Sequence, residues 1–232
     1  MQDETGVDQA RDRLLDASLP HVAFDGWSEA TFRAAIVDSG LAPGLARALF
    51  PRGGVDLALA WHRRGDAAMR AALEGRDLAA LRYRDRIALA VRLRLEAISD
   101  AEAVRRGTAL FALPNHAAEG ARAVWGTADA IWNAMGDTST DLNWYTKRAT
   151  LSAVYASTVL YWLGDESPGH AATWEFLDRR IENVMAIEKL KTGVRDTALW
   201  KACADGPLNG LGKMFGRVRR PDMPQDLPGR RF

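Results

Sequence analysis

Four histidines, at positions 21, 62, 116 and 170, and one cysteine, Cys203, are the side chains best suited to hold a metal or serve as base or nucleophile. A di-iron site in a helical bundle takes a Glu-x-x-His pair from each of two helices and a further carboxylate from each of two others. This chain offers only the reversed pair His116-x-x-Glu119, so no metal ligands are assigned. Cys203 lies on an Ala-rich stretch near Lys201, with no histidine close in sequence, which suits an inert thiol better than an activated one. A single cysteine cannot form an intrachain disulfide, and it fits a reducing compartment. GLGKMFG at 210–216 has the glycines of a phosphate loop, but no strand precedes it and its spacing is wrong. Serine, histidine and aspartate occur in no arrangement that marks a triad. The expectation is therefore a protein that is not an enzyme and uses no metal or cofactor.

Binding chemistry is better represented. In DTSTDLNWYTKRATLSAVYASTVLYW, residues 137–162, a polar capping run opens into an apolar helix. At about 100° per residue, Trp144, Leu151, Tyr155 and Trp162 share one narrow arc, with Arg148 beside it. Leu142, Ala149, Ala153 and Leu160 form a second stripe roughly opposite, so the helix is expected to lie centrally with neighbours on more than one side. Aromatic stripes at this spacing ordinarily serve core packing. Further aromatics on the flanking helices, however, suggest an elongated apolar pocket lined by Trp125, Ile131, Trp132, Leu151, Tyr155, Trp162 and Phe176. Trp144 and Tyr145, beside Asp141 and Arg148 in the first turn, have the make-up of a protein-docking patch.

The elements that must position these residues are helical throughout. Apolar residues recur at helical spacing, Ala and Leu dominate, and alternating strand-like runs are missing. The expectation is an all-α protein of about eight to ten helices. The first runs near 7–19 and stops before Pro20. Ser28 caps the second and Gly40 ends it. A short helix at 43–50 leads through PRGG into a longer one, and later helices lie near 77–98, 100–112, 115–135, 138–163 and 169–192. Charge is nearly balanced, 31 basic against 30 acidic residues, which excludes a general polyanion-binding role. No long uncharged apolar run is present, and MQDETGVDQA resembles neither a secretory signal nor an Arg-rich transit peptide. A cytoplasmic protein is expected.

RDRLLDA at 11–17, WSEATFRAAIVDSGL at 27–41 and the short helix after the turn resemble the start of TetR-type regulators. In such readers the second helix of the pair enters the major groove and needs donors for phosphates and base edges. Here it reads PGLARALFP, with Arg47 its only charged residue, so nucleic acid is not expected as a partner and the unit serves packing. Arg52, Arg63 and Arg64 nearby keep a ligand-responsive TetR-type regulator as the alternative.

DTSTDLNWYTKRATLSAVYASTVLYWLGDESP and TWEFLDRRIENV at 173–184, with PRGG at 51–54 and LAW at 59–61, resemble the coenzyme Q (ubiquinone) biosynthesis accessory family with a TetR-like fold. That resemblance implies a non-catalytic, typically dimeric protein that binds isoprenoid or quinone-type lipid. It implies presentation of quinone intermediates to the di-iron demethoxyubiquinone hydroxylase through the patch near NWY, in a bacterial member. The domain plan is then a flexible tail at 1–8, a helix-turn-helix-like unit at 9–66, a helical lipid-binding and docking domain at 67–200, and a basic segment with a disordered tail at 201–232.

From Lys201 to Phe232 there are seven Lys or Arg and three Asp. Within it Leu208, Leu211, Met214 and Phe215 lie on one side of a helical wheel, opposite Lys213, Arg217 and Arg220. This is the pattern of a helix lying in a membrane interface, and it predicts peripheral association with the inner face of the plasma membrane. Gly210, Gly212 and Gly216 each weaken that helix in water by about 1 kcal/mol.

Overall fold

Ser28 begins the clearest local signal in the structure. Its side chain accepts a hydrogen bond from the Thr31 amide, and after the eleven residues of the helix Gly40 closes it in the left-handed conformation, at φ 64°. The computed structural model describes residues 2–98, 100–140 and 142–195, with side chains from residue 6 to residue 184. Among these residues the elements run α1 (Gln2–Asp25), α2 (Glu29–Ser39), α3 (Pro43–Leu49), α4 (Gly54–Glu74) and α5 (Tyr83–Glu96). They continue with α6 (Ala101–Ala112), α7 (Ala117–Ala134), α8 (Leu142–Trp162), a 3-10 turn (Pro168–His170) and α9 (Ala171–Arg195). The all-α expectation holds, and no strand occurs among the described residues. No described helix is long and apolar enough to cross a membrane.

Two hydrophobic cores organise the helices. The first gathers Leu14, Val22, Trp27, Phe32 and Leu57 from α1, α2, the turn between them and α4. The second gathers Met69, Val91, Ile131, Leu151 and Leu177 from α4, α5, α7, α8 and α9. Each such side chain contributes about 1.5–3 kcal/mol by leaving water. α4 supplies residues to both cores, and Trp61 in its middle packs against both. The space between the two cores is therefore set by one continuous helix.

Three expectations about elements need correction. The first helix does not stop before Pro20 but continues to Asp25 with Pro20 inside it. The ring deprives the Asp16 carbonyl of its helical donor. The extra turn, however, buries Val22 completely and sets Trp27 against α6, where its indole N–H donates to the Ala103 carbonyl at 3.0 Å. The helix expected from 77 starts only at Tyr83. The Asp77 carboxylate accepts the Ala79 amide, and Arg86 donates to the Leu81 and Ala79 carbonyls. These side chains satisfy the backbone in a turn and leave it no reason to wind. Lastly, α8 packs on α7 and α9, yet buries only the arc that holds Trp144, Leu151, Tyr155 and Trp162. The opposite stripe, Leu142, Ala149, Ala153 and Leu160, is exposed, Leu142 to 44% and Leu160 to 60%.

Candidate functional site

An apolar opening lies where the two cores meet. It is a cavity of about 310 Å³ walled by Trp27 and by residues of α4, α6, α7 and α8, with Arg94 of α5 and Ile98 just beyond it. Ala58, Trp61 and His62 come from α4, Val104 and Phe111 from α6, Val124 from α7, and Tyr155, Ala156, Val159 and Leu160 from α8. The volume is at the lower end of the about 300–1,000 Å³ usual for small-molecule sites. Trp27 and Trp61 stand with ring centroids 5.7 Å apart and planes tilted by 43° at the edge of the first core, giving this wall two indole rings.

One contiguous polar patch interrupts this wall. Arg94 is almost fully buried; its Nε donates to Asp66 Oδ1 at 2.6 Å and its Nη2 to the His62 carbonyl at 2.9 Å. Gly65 makes that placement feasible, since a Cβ at this position would overlap the guanidinium. Thr127 donates its hydroxyl hydrogen to the same Asp66 oxygen at 2.8 Å, and His62 Nε2 lies 2.9 Å from the Thr127 oxygen. Burial pushes the His62 imidazole down to about 4, against the attraction of Asp66, so the ring is neutral at pH 7. Burial likewise raises Tyr155, which stays a phenol beside Thr127. On the far side of His62 lies a second, more polar recess of about 330 Å³, rimmed by Arg52, Arg63, Arg122 and Glu119.

The residues expected to line an apolar pocket are mostly elsewhere. Of the seven, only Tyr155 borders the cavity. Ile131, Leu151 and Trp162 are spent inside the second core. Trp132 donates its indole N–H to the Lys147 carbonyl at 3.1 Å, and Trp125 lies 6.0 Å from the Trp144 ring. Phe176 stacks on Tyr161 at 4.5 Å. The arc does lie on the buried face of α8, but close helix packing fills most of it. The lining that periodicity missed comes from the front half: Trp27 lies in WSEATFRAAIVDSGL and Trp61 in LAW. Those motifs are legible in the sequence, and their indoles beside His62 are the available signal.

The first turn of α8 also differs from the expected exposed patch. Trp144 is 3% exposed and Arg148 not exposed at all. Arg148 donates from Nε to Asp129 at 2.6 Å and from Nη1 to Asp137 at 3.0 Å, with its guanidinium 4.1 Å from the Trp144 ring centre. Burial would raise Asp137, but hydrogen bonds from Lys147, Arg148 and Ser139 outweigh it and hold the carboxyl well below the usual range. Tyr145, half-buried, meets Trp144 edge-on at 4.8 Å. The expected charge partner Asp141 lies outside the described residues, as do Leu208, Leu211, Lys213, Met214, Phe215, Arg217 and Arg220 of the basic segment.

The cation of the α3 reading helix is engaged too. Arg47 pairs with Glu29, and its guanidinium sits 4.4 Å from the Phe32 ring centre.

Residues 117–188, from α7 into α9, match the COQ9 family model. The chain is 33% identical over 189 residues to the ubiquinone biosynthesis protein COQ9 of Drosophila melanogaster, covering 79% of this chain and 58% of that one. It is 29% identical over 205 residues to the human protein of the same name, covering 84% and 64%. The chain thus spans roughly three-fifths of the length of these relatives. Among solved structures it is similar to a TetR transcriptional regulator from Nitrosomonas europaea, with a TM-score of 0.61 and 21% identity over 74% of this chain and 95% of that one. That likeness establishes the TetR-like fold. Because the sequence identity extends far beyond the matched segment, the chain belongs to the COQ9 family.

Proposed function

We propose that this protein is a non-catalytic accessory factor of ubiquinone biosynthesis. It holds a hydrophobic quinone intermediate in the cavity between the two cores and presents it, from a membrane surface, to the di-iron demethoxyubiquinone hydroxylase. The observation that carries this reading is the cavity itself. An aromatic and aliphatic wall of this size, enclosing a small polar patch, suits an apolar molecule with one oxygenated end. The relatives' role in ubiquinone biosynthesis supports the pathway. The first turn of α8 is the surface assigned to the hydroxylase, with Tyr145 at the surface and the buried Trp144–Arg148 pair as its rigid support. The basic segment around Lys213 and Arg217 is assigned to the membrane.

Deleting the gene and profiling cellular quinones tests the proposal. Loss of ubiquinone with build-up of the demethoxy intermediate is expected, restored by the wild type. A folded variant with the cavity filled, Ala156→Phe, should not restore it. An unchanged quinone profile removes the proposal. A ligand-responsive regulator is the second reading, favoured by the TetR-like fold.

A further inference from the structure

We infer that the polar recess on the far side of His62 is an anion site, which takes a molecule bearing a phosphate group, as a monoester or a diphosphate. It is distinct from the apolar cavity, and His62 and Ala123 belong to the walls of both.

Helical spacing builds the recess. Positions 59, 62, 63 and 66 of α4 and positions 119, 122, 123 and 126 of α7 line it. Each set follows i, i+3, i+4 and i+7, and so lies along one face of its helix. α4 and α7 pack on each other, and these faces bound a space of about 330 Å³, with Arg52 of the PRGG turn beside them. At Gly126 the α7 wall carries no side chain, and a Cβ there would meet nothing within 4 Å.

The pairing of charges says what fits. Three cations, Arg52, Arg63 and Arg122, and two carboxylates, Asp66 and Glu119, line the recess. Both carboxylates are spent. Asp66 accepts from Arg94 at 2.6 Å and from Thr127 at 2.8 Å. Glu119 is engaged by Arg52 and, at 2.9 Å, by His116 Nδ1. Arg52 is held in turn by Asp56 at 2.7 Å. Arg64, the neighbour of Arg63, pairs with Asp12 at 2.9 Å and with Asp16. Arg63 and Arg122, one on each wall, have no such partner among the described residues.

Arg63 also carries its charge at a cost. Burial and the positive charge of Arg11 push its guanidinium down from its ordinary value, against the attraction of Asp56 and Asp66. An anion in the recess would supply the missing countercharge and replace the lost water. A guanidinium is a planar fork matched to phosphate oxygens, and a phosphate dianion answers two unpaired cations. A lone carboxylate cancels one of the two charges, and an apolar ligand cancels neither.

Titration calorimetry of the full chain with sodium pyrophosphate tests the site, with acetate at matched ionic strength as the comparison. Pyrophosphate is expected to bind about tenfold tighter than acetate or better. Arg63→Gln and Arg122→Gln should each weaken it about tenfold or more, through the loss of charge-assisted hydrogen bonds. Gly126→Leu should abolish binding by occupying the recess. It replaces a helix glycine that faces open space, so the fold should persist, as a melting curve checks. Arg13→Gln, at an exposed arginine of α1 outside the recess, should leave binding unchanged.

A second arm separates a soluble phosphate from a lipid headgroup, by co-sedimentation with phosphatidylcholine vesicles carrying phosphatidic acid. Retention that Arg63→Gln abolishes and pyrophosphate displaces assigns the site to a headgroup phosphate. Pyrophosphate binding without such retention assigns it to a soluble ligand. Failure of pyrophosphate to bind the wild type overturns the inference. Equal weakening by Arg13→Gln and Arg63→Gln overturns it as well, because binding would then follow diffuse charge and not the recess.

Discussion

At the scale of the residue, the consequential groups are buried and charged or titratable. His62 is held at about 4, below its ordinary 6.5, because burial disfavours the imidazolium. Asp66 opposes that effect while Arg94 and Arg63 reinforce it. The sign follows: below pH 6.5 the unfolded chain takes up a proton that the folded chain refuses. Stability from this site is complete above pH 6.5 and is lost as pH falls towards 4, by at most about 3 kcal/mol. Asp137 behaves differently, since its folded carboxyl is depressed and its stabilisation disappears only below about pH 4. Thermal melts across pH should thus fall in two steps. His62→Gln should flatten the upper step, and Asp137→Asn should lower stability at neutral pH and flatten the lower one. Breaking a buried ion pair of this kind costs about 3–5 kcal/mol. A single acid transition unaffected by either substitution would contradict these assignments.

At the scale of the element, α8 is informative because its two faces have opposite fates. One face carries Leu151, Tyr155 and Trp162 into the core and lines the cavity at Tyr155 and Val159. The other presents Leu142, Ala149 and Ala153 to the exterior, while Leu160 is exposed and also borders the cavity. Ala149 and Ala153 leave room for a second helix to approach closely, and a small-residue stripe of this kind suits packing against its own copy about a two-fold axis. A second copy is accordingly the occupant proposed for this face. Ala153→Glu should leave the melting temperature of the monomer within about 0.5 kcal/mol of wild type in stability terms, because an exposed site tolerates charge. The same substitution should convert dimer to monomer in light scattering. Dimers that persist in this variant would put the interface elsewhere. The α1 helix teaches the complementary lesson: local chemistry at Pro20 favours a stop, and the burial of Val22 within the next turn outweighs it.

At the scale of the whole molecule, a fold shared with a transcription regulator is built around a cavity rather than a reading head. α3 offers a duplex one cation, and that cation is paired with Glu29 and lies over Phe32. Phosphate contacts dominate affinity for DNA, so the protein should retain no genomic duplex even at low salt. Retention that weakened steeply with salt would restore the regulator reading.

Helical class, the caps at Ser28 and Gly40, the start of α4 after PRGG and the buried arc of α8 were all legible in the sequence. Each depends on residues a few positions apart, where spacing alone decides which side chains share a face. Family membership was legible as well, in the stretch from Asp137 to Pro168 and in TWEFLDRRIENV. The site was not. Its wall joins Trp27, Trp61, Arg94, Phe111 and Tyr155, which lie far apart in the chain. Periodicity marks a residue as buried but cannot say whether it meets packed side chains or open space. Whether Arg148 would face a partner or disappear beneath Trp144 was equally undetermined, because Asp129 and Asp137 reach it only through the packing of α7 on α8. Local spacing determined the helices and their faces. Only the tertiary structure decided where the two cores fail to close, because a cavity belongs to the distances between elements and not to any one of them.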